Sequence, residues 1–181
     1  NRPYILAEIN NNIGIAFGYL GQSSKALKYF TSALNTFEEI YGDNHPKVAS
    51  VLSSIGLNYN SLNNFVKAEE FLLKSVKIRQ NYFGLNHIAT IHSQMNLSRV
   101  YNSTNRPHKS GEILEDVKKR LINLFGDYHP DIQKTYIALA SYYAGSGNDY
   151  AKAKEYANKA VEIGNKILNP NDPFTFLEIV S

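Results

Sequence analysis

A short glycine–histidine segment recurs along the chain at a nearly constant interval. GDNHP at residues 42–46 returns as GLNHI at 84–88, as GDYHP at 126–130 and, in weaker form, as NPNDP at 169–173. The spacings are 42, 42 and 43 residues. A fixed period of this size indicates an array of structural repeats, each of which needs its neighbours to bury its apolar face. This period limits the possible folds of the 181 residues more than any other feature.

Each unit between these segments contains two stretches of helical periodicity. In the first unit, apolar residues recur every four positions, and a second series follows a turn at residues 21–23. Gly42 and Pro46 support the boundaries, because glycine suits a left-handed helix end and proline fits the first turn of the next helix. No segment alternates with a period of two, so we expect an all-α fold without a sheet. The predicted repeats span residues 4–45, 46–87, 88–129 and 130–172 of a single array, and 173–181 begin a further helix.

Aligned by the period, several columns of the repeat have a constant character. One column on the second helix is small, one on the first helix is aromatic, and one beside the small column is lysine. Small side chains let helices approach closely, aromatic ones fill the space between them, and we expect the lysines to form an exposed ridge. The columns are Ala26, Ala68, Ser110 and Ala153; Phe17, Tyr59, Tyr101 and Tyr143; and Lys25, Lys67, Lys109 and Lys152.

These columns resemble the tetratricopeptide repeat. The pair Ile13-Gly14 returns as Ile55-Gly56, Leu97-Ser98 and Leu139-Ala140, and an aromatic residue follows three positions later in each unit. The 42-residue period and the G-x-x-H-P loop are similar to the kinesin light chain type of this repeat, over residues 4–172. The resemblance implies a right-handed superhelical solenoid of helix-turn-helix units. Its first helices would line a concave groove that receives a peptide.

Carried over column by column, the resemblance predicts which residues face that groove. Asparagine amides can bond a peptide backbone through both donor and acceptor, and we expect the partner to be acidic where Arg99 and Lys134 lie. The carboxylate clamp of some family members is not matched, because Ile15 stands where an asparagine is needed. The predicted groove residues are Glu8, Asn11, Ile15, Gly18, Ser50, Ser53, Leu57, Asn60, His92, Met95, Arg99, Asn102, Lys134, Ile137 and Ser141.

Composition argues against several kinds of chemical site. The chain has no cysteine, which excludes disulfides and thiolate ligands. The loop histidines, His45, His87 and His129, recur two helices apart, roughly 16–20 Å, which is too far to share one metal ion. We therefore predict no metal and no cofactor, and interpret these histidines as capping groups. The acidic pairs Glu38-Glu39, Glu69-Glu70 and Glu115-Asp116 are expected to be solvated.

Net charge and hydropathy limit the classes of partner that the chain can bind. A net charge of +3 falls short of the clustered basic surface of a nucleic-acid binder. No apolar run reaches the roughly 18 residues that span a bilayer, and no signal-like N-terminus is present. We expect a cytoplasmic protein that binds neither nucleic acid nor the membrane interior.

The function predicted from these features is a non-catalytic protein-interaction scaffold or adaptor. The alternative is a regulatory or sensor array within a larger signalling protein, and an enzyme built on the groove is a third hypothesis. The chain begins near a repeat boundary, and residues 174–180 look like the opening of another first helix. We therefore expect a fragment of a longer array.

Overall fold

The computed structural model describes residues 2–104 and 106–167, which contain eight α-helices and no strand. The all-α repeat fold is therefore confirmed, with two helices in each predicted repeat. The segment 173–181, predicted to start a further helix, lies outside the described residues. The helices are α1 (Arg2–Tyr19), α2 (Ser23–Tyr41), α3 (Pro46–Ser61), α4 (Phe65–Phe83), α5 (Ile88–Ser103), α6 (Pro107–Phe125), α7 (Pro130–Ala144) and α8 (Tyr150–Ile167).

The recurring histidine caps the first helix of the repeat that follows it. Nδ1 of His45 accepts a hydrogen bond from the backbone N–H of Lys47 at 3.2 Å, just before α3. His87 and His129 make the same bond, at the same length, before α5 and α7. Each imidazole also stacks on the last aromatic ring of the preceding helix; the His45 ring lies 4.1 Å from that of Tyr41. The interpretation of these histidines as capping groups is confirmed.

The loop glycine takes a conformation that other residues avoid. Gly42, Gly84 and Gly126 follow α2, α4 and α6 with φ of +76°, +85° and +73°. Their ψ angles lie near ±170°, however, so they extend the chain rather than forming the left-handed helical cap expected from the sequence. Only glycine populates this region readily. The strict recurrence of glycine in the loop therefore has a backbone cause.

Small residues lie where the helices approach most closely. Ala26 and Ala68 are fully buried, and so is Ser110. Gly56 lies under Leu72 in the same way, since a Cβ on the glycine would be 2.7 Å from Cγ of the leucine. The small columns are thus confirmed as packing positions.

The lysine column does not form a ridge without side-chain contacts, because its ammonium groups lie over the rings of the aromatic column. Nζ of Lys25 lies 5.4 Å from the centre of the Phe17 ring, and Nζ of Lys67 lies 5.1 Å from that of Tyr59. Lys152 repeats the contact over Tyr143 at 5.0 Å. These three lysines remain exposed, but each is oriented by a cation–π contact.

The helices form two compact units, one up to Thr104 and the other from residue 105 onward. The first contains two hairpins, α1–α2 and α3–α4, followed by α5. The second contains α6, α7 and α8, so the two helices of the third predicted repeat fall in different units. Across the described ranges, no helix is both long and apolar enough to cross a membrane.

Candidate functional site

An open cleft of about 400 Å³ lies in the first unit, on the face formed by α1, α3 and α5. The four-residue periodicity of these first helices turns one side chain per turn toward the cleft. Ile15, Leu57, Asn60 and Arg99, all predicted as groove residues, line it together. The rest of the lining comprises Gly18, Tyr19, Phe30, Ser54, Asn58 and Ser61.

The cleft contains hydrogen-bond acceptors that no protein group satisfies. Asn58 is only 5% exposed; its Nδ2 donates to the backbone oxygen of Ser23 at 3.2 Å, while its Oδ1 has no partner in the described chain. Oδ1 of Asn60 is likewise buried and unpaired. A buried amide oxygen left without a donor costs about 1–3 kcal/mol. Both oxygens lie beneath the cleft surface, so a ligand N–H group bonds them only if the amides turn toward the cleft.

Arg99 adds a positive charge to the cleft. Its side chain is exposed, and its guanidinium has no hydrogen bond or ion pair with any residue in the ranges that the structure describes. Ile15 and Leu57 supply apolar surface to the same cleft. The combination can hold an apolar side chain, backbone N–H groups and a carboxylate at once.

The N-terminal end of the face is already paired within the protein. Glu8 on α1 forms an ion pair with Lys47 on α3, and the same ammonium lies 5.5 Å from the centre of the Tyr4 ring. The hydrogen bond to Glu8 raises the pKa of Lys47 despite partial burial. Oδ1 of Asn11, one turn further along α1, is buried and unpaired. Of these two predicted groove residues, Asn11 retains an unused acceptor and Glu8 is neutralised.

Ser53 does not face the groove, contrary to the prediction from the repeat columns. Its side chain is 6% exposed, and its hydroxyl lies 2.8 Å from that of Ser75 on α4. Ser75 in turn donates to the backbone oxygen of Ala49 at 2.7 Å. Ser53 therefore belongs to the contact between α3 and α4, and a ligand on the face cannot reach it.

Arg79 is a polar residue that the sequence reasoning missed. It lies on α4, yet its guanidinium reaches between α3 and α5 and donates to Ser50, a predicted groove residue that is half-buried, at 2.9 Å. It also donates to the hydroxyl of Ser93 at 2.7 Å and to the backbone oxygen of Ala89 at 3.1 Å. Burial lowers the pKa of the guanidinium. The signal in the sequence was a single charged residue in a column that is otherwise apolar.

Three predicted groove residues on α5 do not line the cleft. His92 and Asn102 are exposed, and Met95 is half-buried. They lie on the same helix as Arg99. Their part in binding stays a prediction.

The predicted groove residues of α7 lie in the second unit. Ile137 is 53% exposed and, with Ser141, lines a second cleft of about 320 Å³. Lys134 donates to Asp131 at 3.0 Å, and that carboxylate is largely buried. Lys134 is thus already paired with an acidic group, unlike Arg99. The remaining lining of this cleft is Gln133, Ala140, Ala157, Ala160 and Val161.

Glu115 in the second unit departs from the expectation of a solvated acidic pair. Its carboxylate accepts hydrogen bonds from Tyr143 at 3.0 Å, from Tyr156 at 2.9 Å and from Lys118 at 2.6 Å. Burial alone would raise the pKa of Glu115, but these hydrogen bonds outweigh it and hold the pKa below its ordinary value. The group connects three helices, α6, α7 and α8, and opens onto neither cleft.

No three His, Cys, Asp or Glu side chains converge on a potential metal position within residues 2–104 and 106–167. The clefts thus offer amide, hydroxyl, guanidinium and apolar groups. These are groups for recognition by hydrogen bonding and charge.

The comparisons with known proteins agree with this architecture. The family model of the Tetratricopeptide repeat matches residues 5–81 and 87–166. Among curated proteins, none has a significant sequence match to the chain.

Solved structures with the same fold include BtubC (BKLC) from P. vanneervenii, with a TM-score of 0.81, 23% identity and coverage of 94% of this chain and 67% of that one. The nearly identical TPR-like repeats of a Podosopora anserina protein named as a kinesin light chain have a TM-score of 0.78 and 20% identity, over 97% and 82% of the two chains. The apo form of RapI has a TM-score of 0.74 and 22% identity, over 88% of this chain and 56% of RapI. At these identities the likeness shows the fold.

Proposed function

Because the chain belongs to the tetratricopeptide repeat family, we propose that it is a non-catalytic interaction module that binds an acidic peptide segment of a partner protein in the cleft of its first unit. Proteins of this family bind protein partners and generally have no catalytic role, so the fold directs attention to a recognition surface. The kinesin light chain type of repeat supports the same function, that of a protein-binding module.

The observation that carries the proposal is the set of unused polar groups in one cleft. Asn58 and Asn60 present unpaired amide oxygens, and Arg99 presents an unpaired guanidinium beside the apolar side chains of Ile15 and Leu57. An extended peptide supplies backbone N–H groups that bond the amide oxygens once the amides turn toward the cleft, which removes the cost of leaving them buried and unpaired. A carboxylate on the peptide pairs with the guanidinium in a charge-assisted hydrogen bond.

The test begins with peptides selected from a random display library on the whole chain. The affinity of the tightest peptide is then measured by fluorescence anisotropy for the wild type and for Arg99→Gln and Asn60→Ala. We expect each substitution to weaken binding about tenfold, since each removes a contact of about 1–3 kcal/mol.

Lys77→Gln is the matched control, because it also removes one positive charge from an exposed helix position that makes no contact with the cleft. It should leave the affinity within about twofold. Wild-type affinity in Arg99→Gln, with unchanged circular dichroism, would refute the assignment of the cleft.

A further inference from the structure

We propose that Arg79 is a second anion-binding group on the face that carries the cleft, so that the peptide partner has two acidic side chains about three residues apart. This inference rests on the proposed function. It adds a residue on a second helix, α4, to a site otherwise built from first helices.

The position of Arg79 is a core position in the neighbouring repeats. The equivalent residues, 42 positions before and after, are Phe37 and Leu121, which are 1% and 0% exposed. An apolar residue at this point stabilises the fold by burial alone. An arginine is costly there unless something compensates its charge, because the guanidinium stays protonated.

Nothing in the described chain compensates that charge. The three acceptors of Arg79 are the hydroxyls of Ser50 and Ser93 and the backbone oxygen of Ala89, all of them neutral. No carboxylate lies within ion-pair distance in the described ranges. The three bonds use both hydrogens of Nη1 and one of Nη2, which leaves the Nε–H and the second Nη2–H to bond a ligand. An Nε–H and an Nη2–H together form the edge of a guanidinium that binds a carboxylate with two parallel hydrogen bonds.

The arginine reaches the face of the cleft through Ser50 on α3. Ser50, which it contacts, and Ser54, which lines the cleft, are one turn apart on α3. On α5, Ser93 contacts Arg79, and Arg99 lies six residues later, about 9 Å along the helix at 1.5 Å per residue and about a third of a turn away around it. In a peptide of polyproline II conformation, with three residues per turn and a rise of about 3.1 Å, side chains three residues apart share one face and lie about 9 Å apart. Two acidic residues at that spacing can therefore reach both guanidinium groups.

The direct test is a titration of the ¹⁵N-labelled whole chain, followed by the side-chain Nε–Hε signals of its five arginines in NMR spectra. The probe is the peptide acetyl-Glu-Ala-Leu-Glu-amide, and the uncharged match is acetyl-Gln-Ala-Leu-Gln-amide. We expect the acidic peptide to shift the signals of both Arg79 and Arg99, and the amide peptide to shift neither by a comparable amount.

Two variants separate binding from stability. Arg79→Lys keeps the charge but loses the planar fork, and it should weaken the acidic peptide by about threefold; Arg79→Met should weaken it about tenfold. Neither variant should change the affinity for the amide peptide. If Arg79→Met fails to fold, the wild-type titration and the lysine variant still decide the question.

The outcomes distinguish this inference from the proposed function. A shift of Arg99 alone overturns the role of Arg79 and leaves the peptide site standing. A shift of neither signal overturns both. Acetate at the same carboxylate concentration is the final control, and shifts as large as those of the acidic peptide would overturn the requirement for paired acidic residues.

Discussion

The hydroxyl of Tyr156 on α8 donates a hydrogen bond of 2.9 Å to Oε1 of Glu115 on α6. Tyr143 on α7 donates to the same oxygen at 3.0 Å, and Lys118 bonds the other carboxylate oxygen. One carboxylate therefore joins three helices of the second unit. Because its partners are two phenols and an ammonium, the network responds to pH at both ends of the scale.

The first prediction concerns the ionisation of Tyr143. Burial and the neighbouring Glu115 carboxylate raise the pKa of Tyr143 to about 12. Glu115→Gln keeps an acceptor but removes the negative charge, so the pKa of Tyr143 should fall toward its ordinary value of 10.0. NMR titration of ¹³C-labelled tyrosine measures this directly. An unchanged titration would mean that burial alone controls the phenol.

The second prediction is the pH dependence of stability in the same variant. The pKa of Glu115 is lowered by folding, so its contribution is present above the unfolded pKa and is lost as the pH falls through the folded pKa. The pKa of Tyr143 is raised, so its contribution is lost as the pH rises through about 12. Near neutral pH, Glu115→Gln should lower the free energy of unfolding by about 1 kcal/mol, since the carboxylate is partly exposed.

Urea denaturation of both proteins at about pH 7 and about pH 3 provides the check. The difference between wild type and Glu115→Gln should shrink as the pH falls through the folded pKa of Glu115, because a growing share of the wild-type carboxyl is then protonated. A difference that is equal at both pH values would show that the carboxylate charge does not contribute.

The helix boundaries could be predicted because the same turn chemistry returns with the period. Pro46 and Pro130 begin α3 and α7, and His45 caps the N-terminus of α3. The conformation of Gly42 could not be predicted in detail, because the sequence requires glycine equally for two regions of positive φ. The contact of Lys67 with Tyr59 was also missed, since a column alignment does not show that two columns touch.

The periodicity of the first helices could predict only those cleft residues that lie on the first helices. This periodicity grouped Ile15, Leu57 and Arg99, which the structure places around one cleft. It misplaced Ser53, because a position between two helix faces turns inward when the partner helix offers a small residue such as Ser75. It could not find Arg79, which reaches the face from a second helix over the length of its side chain.

The third prediction is that Gly56→Ala destabilises the first unit. The added Cβ would lie 2.7 Å from Cγ of Leu72 and 3.2 Å from the backbone oxygen of Ala68, so α3 and α4 would have to separate. We expect a loss of about 1–3 kcal/mol in the free energy of unfolding, measured by urea denaturation.

Gly18→Ala is the matched control within a helix. Its Cβ would meet nothing closer than Oδ1 of Asn58, at 3.9 Å. Without a steric conflict, alanine should stabilise α1 by about 0.5–1 kcal/mol through its better helix propensity. A stabilising effect in both variants would contradict the close approach of α3 and α4.

The fourth prediction separates the two roles of the loop histidine. His45→Asn keeps a capping oxygen but loses the ring stacked on Tyr41, whereas His45→Ala loses both. The alanine variant should lose about 1 kcal/mol more than the asparagine variant, which is the usual value of an N-cap hydrogen bond. Thermal unfolding of the three proteins gives the comparison. Equal losses would assign the whole effect to stacking on Tyr41.

The last prediction tests whether the lysine column stabilises the fold or is only a solvated surface. Lys67→Met removes the ammonium that lies 5.1 Å from the centre of the Tyr59 ring, while keeping an apolar stem of similar length. The loss of the cation–π contact should cost about 0.5–1 kcal/mol. Lys77→Met on the same helix is the matched control, because Lys77 is exposed and has no ring or acidic partner in the described chain. If both substitutions change the urea midpoint equally, the contact with Tyr59 contributes nothing to stability. A larger effect at Lys67 would assign a structural role to the whole column. That effect should be only weakly sensitive to added salt, because the ring carries no net charge.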